Sequence, residues 1–110
     1  MLGMGILAMV DTGAPWCIFE PSIGRDIQDR LSALSGTSVL DTRLGRFEGR
    51  LYLGSVTLLA DEGEDLDVET TIFLCPDWPG GNFVGYQGFL DRFCSGLNPN
   101  RNKFFFGPFY

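Results

Sequence analysis

An apolar run that ends in a carboxylate constrains this chain more than any other feature. Residues Gly5 to Val10 are apolar or glycine, and Asp11, Thr12 and Gly13 follow them directly. Such a run is typical of a buried strand, and a glycine permits the turn that must follow it. We therefore expect Asp11 at the end of a strand, partly desolvated and close to backbone N–H donors, a setting that can shift a carboxyl pKa in either direction.

Composition limits the chemistry that this carboxylate can take part in. The chain has 110 residues, the size of one domain with its own core. It contains no histidine, which excludes a Ser-His-Asp triad, a Cys-His pair and a histidine-bound metal. Fourteen acidic against eight basic residues give a net charge of -6, which argues against nucleic acids and anionic membranes as partners. Any catalysis would use carboxylates, and we expect no cofactor and no metal.

The cysteines and the first ten residues indicate in which cellular compartment the protein works. Cys17, Cys75 and Cys94 show no C-x-x-C spacing and have mostly apolar neighbours, which favours buried free thiols in a reducing compartment over a disulfide or metal role. The ten residues before Asp11 contain no basic region and are too short for a signal peptide or a membrane span. We therefore expect a cytoplasmic protein.

Strand patterns dominate the remainder of the chain. We expect strands over residues 2–10, 15–19, 50–60, 66–75 and 103–110. A period of three to four from Ser22 to Leu34 predicts a short amphipathic helix, with Ser22 as candidate N-cap. The acidic segment Asp61 to Asp65 lacks the spacing of a calcium loop and is expected to be a solvated hairpin turn. Residues 97–102 are expected to form another turn.

Two segments together resemble a known family. Val10 to Pro15, which reads Val-Asp-Thr-Gly-Ala-Pro, resembles the catalytic loop of aspartic proteases, and its alanine is similar to the single-domain retroviral branch, the retropepsins. Asp-Thr-Gly alone would indicate only an ordinary exit from a strand into a turn. The second segment, Phe83-Val84-Gly85, matches the two hydrophobic residues and the glycine that retropepsins carry on a strand beside that loop. A glycine suits a close backbone approach, where a Cβ would collide.

The resemblance implies a fold and a catalytic residue. The fold would be all-β, a retropepsin-like closed or partly open barrel with one or two short helices, formed by residues 1–110 as a single domain. Asp11 would be the catalytic residue, and Thr12, Gly13 and Ala14 would support its loop. Because only ten residues precede Asp11, the domain would lack the usual N-terminal strand of the family.

One position departs from the family pattern. Retroviral enzymes carry Arg and then Asp or Asn directly after the late glycine, whereas Tyr86 and Gln87 stand in those places here. The support that the arginine gives to the dimer cannot be carried over. The pair Asp91 and Arg92, a few residues later, is a candidate substitute.

The glycine-punctuated segment from Ser35 to Gly54 stands where retropepsins have the flap, a hairpin that folds over the substrate. Its candidate hinges are Gly45 and Gly49, near an expected tip at Arg46 and Phe47. A surface hairpin without a substrate role is the alternative. Two aromatic side chains, Phe47 and Trp16, are candidates for apolar subsites that bind a protein or peptide substrate as an extended strand.

One Asp-Thr-Gly provides half of a two-carboxylate site. Aspartic-protease chemistry needs two carboxylates that share a proton, so the resemblance implies a homodimer with one Asp11 from each subunit. The last residues carry five aromatic side chains, Phe104, Phe105, Phe106, Phe109 and Tyr110. They cannot all be buried on one face of a strand, and retropepsins interleave their terminal strands across the dimer axis.

Three functions remain open from the sequence. The first is an aspartic endopeptidase that hydrolyses peptide bonds with a water molecule activated by two Asp carboxylates. The second is a catalytically inactive retropepsin-like module that dimerises or binds an extended peptide. The third is a small-molecule or metal site at the acidic turn of residues 61–65.

Overall fold

Strands make up most of the fold. The computed structural model describes residues 5–108, and the expected strand residues 2–4, with Phe109 and Tyr110, lie outside the described residues. Within residues 5–108 the strands are β1 Met9–Val10, β2 Cys17–Ile18, β3 Ser32–Ala33, β4 Ser38–Thr42, β5 Gly45–Leu58, β6 Leu66–Leu74, β7 Phe83–Val84, β8 Cys94–Asn98 and β9 Lys103–Gly107. The α-helix α1 spans Pro21–Ile27, and two single-turn 3-10 helices span Gln28–Arg30 and Leu90–Arg92. The all-β class expected from the sequence is confirmed.

The long hairpin of β5 and β6 is the centre of the main sheet. Arg50 to Leu58 pairs with Leu66 to Leu74 in antiparallel register, as the alternating β-branched and aromatic residues predict. The seven-stranded sheet has the order β1-β7-β2-β6-β5-β3, and β4 pairs with the first part of β5. This order begins at β1 and ends at β3 without pairing them, so residues 5–108 do not form the closed barrel that was one of the two expected forms.

The first two strands are shorter than expected. Among residues 5–10, the described part of the strand expected over residues 2–10, only Met9 and Val10 pair with another strand, β7. Ile6 and Ala8 contact the core without sheet pairing. The strand expected over residues 15–19 is reduced to β2, because only its central residues reach β6 and β7.

The helix is also shorter than the period of its apolar residues predicts. Pro21 occupies the first turn of α1 and Glu20 is the N-cap, so the expected N-cap Ser22 is wrong; its hydroxyl contacts the Glu20 carboxylate at 3.3 Å. The pattern continues beyond α1 because Leu31 still packs on the core, although it leaves the 3-10 helix in an extended conformation that leads into β3. No helix among residues 5–108 is long and apolar enough to cross a bilayer.

Two hydrophobic clusters lie on opposite faces of the main sheet. We call them the helix-side cluster, which contains Cys17, Phe19, Val68, Ile72, Val84, Phe89, Leu90 and Phe93, and the hairpin-side cluster, which contains Ile18, Leu40, Phe73, Cys75 and Trp78. Consecutive residues of β2 and β6 alternate between the clusters, because side chains alternate across a strand. Both residues of β2 and residues 70–73 of β6 are therefore buried on both faces, whereas Asp67 and Glu69 of β6 are exposed.

The terminal hairpin of β8 and β9 corrects two expectations. Leu97 and Asn98 belong to β8 rather than to a turn, and the turn is confined to residues 99–102. Cys94 at the start of β8 is exposed, so the expectation that all three cysteines are buried is wrong for this residue; Cys17 and Cys75 are buried, and all three are free thiols. The sequence Cys-Ser-Gly-Leu-Asn has little strand propensity, and β8 depends on its pairing with the aromatic strand β9.

The aromatic residues of β9 alternate between core and solvent. Phe104 and Phe106 pack on the helix-side cluster, and Phe104 meets Phe93 edge to face. Phe105 points the other way and is 59% exposed. The expectation that one face of this strand cannot bury all its aromatic rings is confirmed for the three rings that the structure describes.

Two leucines test how far stability depends on the helix-side cluster. Leu90 is 7% exposed and Leu59 is 70% exposed. Leu90→Ala should lower the free energy of unfolding by about 2–4 kcal/mol, because it leaves a cavity in a packed core. Leu59→Ala should change it by less than about 0.5 kcal/mol. Urea denaturation of both variants measures the difference, and equal effects would contradict the packing described above.

Candidate active site

Asp11 lies in a turn that its own atoms help to build. Its backbone N–H donates to the carbonyl oxygen of Val84 at 3.0 Å, which continues the pairing of β1 with β7 for one more residue. Its Oδ1 accepts the N–H of Gly13 at 2.9 Å, and its carbonyl oxygen accepts the N–H of Ala14 at 3.1 Å. Asp11 as a whole residue is half-buried, whereas Thr12 and Gly13 are exposed. The turn therefore holds a partly accessible carboxylate in a fixed orientation.

β7 lies between the two strands that flank this turn. Phe83 and Val84 pair in parallel with Met9 and Val10 of β1, and Phe83 also pairs in antiparallel fashion with Ile18 of β2. A segment more than seventy positions away in the sequence thus separates β1 from β2. The structure brings Phe83, Val84 and the Asp11 turn together, as the family resemblance implies.

Gly85 makes the closest backbone approach to the turn. A Cβ at this position would overlap the carbonyl oxygen of Trp16 and stand 2.8 Å from the carbonyl oxygen of Ala14. The next two residues donate backbone N–H groups to the same segment, from Tyr86 to Ala14 at 2.8 Å and from Gln87 to the carbonyl oxygen of Pro15 at 2.7 Å. The predicted need for a glycine here is confirmed.

The pair Asp91 and Arg92 does not replace the missing arginine of the family. The Asp91 carboxylate accepts the N–H of Gly88 at 2.9 Å. The Arg92 guanidinium donates to the carbonyl oxygen of Glu69 at 2.6 Å and lies 3.8 Å from its carboxylate. Both side chains are thus engaged away from the Asp11 turn, which is supported instead by the backbone of Tyr86 and Gln87.

The hairpin of β4 and β5 stands where the sequence predicts a flap, but its tip is different. Thr42 pairs with Gly45, so the tip is formed by residues 43 and 44 rather than by Arg46 and Phe47. The Thr42 hydroxyl donates to the carbonyl oxygen of Gly45 at 3.0 Å and accepts the N–H of Leu44 at the same distance. Gly45 has a φ of 128°, which favours glycine. Arg46 lies on the exposed face of the hairpin, 3.9 Å from the Asp41 carboxylate.

The second candidate hinge, Gly49, is buried at the base of this hairpin. A Cβ there would stand 2.5 Å from the carbonyl oxygen of Leu74 and 2.7 Å from the ring of Phe73. Close packing on β6 is therefore the reason for a glycine at this position.

Both candidate subsite residues join the hairpin-side cluster. Phe47 meets Trp78 edge to face with ring centroids 5.2 Å apart. Trp16 stacks on Phe73 at 5.6 Å. Each ring is only partly buried, so an aromatic surface reaches from the hairpin to the segment that follows Asp11.

Sequence reasoning missed two residues that organise this region. Trp78 contacts Phe47 and also Phe83, at 6.2 Å between ring centroids. Asn82 accepts the N–H of Glu20 with its side-chain oxygen and donates its amide to the carbonyl oxygen of Leu7. Both stand in the Pro- and Gly-rich segment before β7, where a large aromatic and a polar amide were the available signals.

Two grooves lie away from Asp11. One, of about 230 Å³, is lined by residues 66–69, 92, 93 and 108, and the other, of about 410 Å³, by residues 30, 32, 53–55, 67 and 69. Neither includes a residue of the Asp11 turn. Within residues 5–108 no group of three or more Cys, Asp or Glu side chains is placed to hold a metal ion.

Comparison with known proteins adds no family assignment to this geometry. A scan against protein-family models finds no match, and neither does a search of curated proteins.

Gly85→Ala tests the close approach of β7 to the turn. The added methyl group would press on two backbone carbonyl groups, which cannot move aside as a side chain can. The free energy of unfolding should fall by about 1–3 kcal/mol or more. Gly96→Ala is the matched control, because a Cβ there has no atom within 4 Å. Urea denaturation of the two variants should separate them, and a tolerated Gly85→Ala would contradict the contact.

The thiols should differ sharply in reactivity. Burial raises the pKa of the Cys17 thiol from 9.0 to about 12, although a hydrogen bond with the Gly85 backbone partly offsets the shift. At pH 8 a disulfide reagent should modify only exposed Cys94 in the folded protein and all three thiols in denaturant. Cys94→Ser should abolish the fast reaction.

The raised pKa of Cys17 also predicts how stability depends on pH. Because the thiol ionises less readily in the folded than in the unfolded protein, Cys17 contributes fully to the free energy of unfolding below about pH 9. This contribution should be lost as the pH rises toward 12, which urea denaturation at several pH values measures.

Proposed function

We propose that this chain is a retropepsin-like aspartic endopeptidase that acts as a homodimer. The observation that carries the proposal is the position of the Asp-Thr-Gly turn at the end of β1. Strand β7 pairs with β1 beside this turn, and the backbone that follows Gly85 hydrogen-bonds to the residues after it. The N–H of Gly13 holds the Asp11 carboxylate as in an ordinary Asx-turn. The close packing of Gly85 against the backbone that follows the turn is a constraint that such a turn does not need. This arrangement pre-organises the carboxylate for chemistry.

The requirement for a dimer follows from the count of carboxylates. The shared-proton mechanism uses two carboxylates close together, and the chain contains one Asp-Thr-Gly. Thr12 and Gly13 are exposed beside a half-buried Asp11, so the same turn of a second subunit can approach it.

In such a dimer one Asp11 carboxylate would act as the general base and the other as the general acid. The ionised carboxylate takes a proton from a water molecule, whose oxygen adds to the scissile carbonyl carbon. The protonated carboxylate donates to the carbonyl oxygen, and the tetrahedral intermediate breaks its C–N bond as a proton is transferred to the nitrogen.

The hairpin and the aromatic surface would bind the substrate. The carbonyl and N–H groups of β4 and β5 are suited to an extended peptide that adds as a strand, and Phe47 and Trp16 supply apolar contacts for its side chains. Ala14 would lie beside the peptide backbone. We also propose that the protein works in the cytoplasm, because its three cysteines are free thiols, as is usual in a reducing compartment.

One observation favours a second candidate, a catalytically inactive module with the same dimer. Tyr86 and Gln87 replace the residues that support the dimer in retroviral enzymes, and Arg92 is bound to Glu69 rather than to the turn. A module of this kind would dimerise or hold an extended peptide without cleaving it.

Cleavage of an unbiased peptide mixture between pH 4 and 7 tests the proposal. The wild type should cleave at concentrations where sedimentation shows a dimer, and Asp11→Asn should reduce cleavage by at least about a thousandfold, since the pair loses its base. Asp29→Asn, at an exposed site in a 3-10 helix, should leave the rate unchanged.

The control outcomes separate the two candidates. A confirmed dimer of the wild type without cleavage at any pH would support the inactive module. Equal cleavage by wild type and Asp11→Asn would contradict the proposed mechanism.

A further inference from the structure

The hairpin of β4 and β5 is attached to the body of the protein by few large side chains. Leu40 and Phe47 lie directly opposite each other in the hairpin register, on the face toward the hairpin-side cluster. The opposite face carries exposed residues, among them Asp41, Arg46 and Val39. Gly49 fixes the base of the hairpin against β6, so the position of the part beyond this base depends on what Leu40 and Phe47 contact.

Phe47 packs on Trp78, and the loop that contains Trp78 holds the indole in place. The indole is 5% exposed. Its Nε1–H donates to the carbonyl oxygen of Gly81 at 3.0 Å. A Cβ at Gly80 would stand 2.5 Å from the indole ring, so the chain passes directly against it. The backbone N–H of Trp78 also donates to the carbonyl oxygen of Cys75 at 3.1 Å. The ring orientation is thus set by residues 75–81, without the hairpin.

The indole of Trp78 also contacts β7, the strand that pairs with β1 beside the Asp11 turn. Trp78 meets Phe83 edge to face, and Phe83 pairs with Met9 and Ile18 on either side of the turn. A continuous series of contacts therefore runs from Phe47 through Trp78 to Phe83. No other aromatic pair among the described residues joins the hairpin to β7.

We propose that Trp78 is the residue that positions the β4–β5 hairpin relative to the Asp11 turn, by providing a fixed surface on which Phe47 docks. Detaching Phe47 frees the hairpin as a unit, while residues 75–81 keep the indole in place. Reattachment returns the hairpin to one position, because the edge-to-face geometry is specific. The proposal concerns the hairpin's docking and stands whether or not the protein cleaves peptides.

Hydrogen exchange measured by mass spectrometry tests the docking directly. In Phe47→Ala the amides of residues 38–49 should exchange about tenfold faster, because the aromatic contact and the burial of the ring are lost. The amides of residues 66–74 should keep their wild-type rates. Phe47→Tyr should restore slow exchange, and Phe47→Leu should give an intermediate rate. Val39→Ala, on the outer face of the same hairpin, is the matched control and should have no effect.

A double-mutant cycle assigns the effect to Trp78. Trp78→Leu should accelerate exchange over residues 38–49 as Phe47→Ala does, and the double variant should add little to either single change, since both remove the same contact. Fluorescence supplies a second measurement. The chain has two tryptophans, so a Trp16→Phe background leaves Trp78 as the only one. Adding Phe47→Ala to this background should at least double the quenching of Trp78 by iodide.

Three results would overturn the proposal. The first is unchanged exchange over residues 38–49 in Phe47→Ala. The second is equal acceleration over residues 38–49 and 66–74, which would indicate global destabilisation instead. The third is additive effects of Phe47→Ala and Trp78→Leu. If Trp78→Leu fails to fold, the Phe47 series and the quenching measurement decide alone. Peptide cleavage enters none of these readouts, so an inactive wild type would contradict the proposed function and leave this test intact.

Discussion

The backbone of residues 84–87 lies directly against the backbone of the Asp11 turn, and the remainder of the structure is arranged around that contact. Three hydrogen bonds join the two segments, and they give the backbone N–H groups of Asp11, Tyr86 and Gln87 their partners. The contact spans about seventy residues of sequence, so its formation costs considerable chain entropy. The two hydrophobic clusters, formed by residues between and after the two segments, supply the burial that offsets this cost.

Burial of β2 and of residues 70–73 of β6 on both faces explains how one short turn is supported from two sides. Cys17 and Ile72 face the helix-side cluster, whereas Ile18 and Phe73 face the hairpin-side cluster. The helix and the terminal hairpin cover one face, and the β4–β5 hairpin covers the other. Each face alone would leave an apolar surface exposed to water. The two-residue strands β1, β2 and β7 therefore connect the Asp11 turn to the hydrophobic clusters on both faces of the sheet.

Sequence patterns predicted the features that depend on local chemistry. The alternation in β5 and β6, the turn at Asp11 and the glycine at position 85 all follow from side-chain period or from steric limits on Cβ. The tip of the β4–β5 hairpin was misplaced because it is set by two hydrogen bonds of the Thr42 hydroxyl, which the glycine spacing does not reveal. Strand β8 was missed because tertiary pairing with β9, rather than its own propensity, makes it a strand.

The Asp11 turn is supported without the arginine that the retropepsin resemblance would place after Gly85. At positions 86 and 87 the bonds to the turn come from backbone N–H groups, which almost any residue provides. The side chains there are free to differ, and that of Tyr86 is 53% exposed beside the turn. A guanidinium at this place would add a charge-assisted bond, but the turn's position is already fixed by Gly85 and its neighbours. The identity of residues 86 and 87 therefore bears on what approaches the turn from outside, and much less on whether the turn forms.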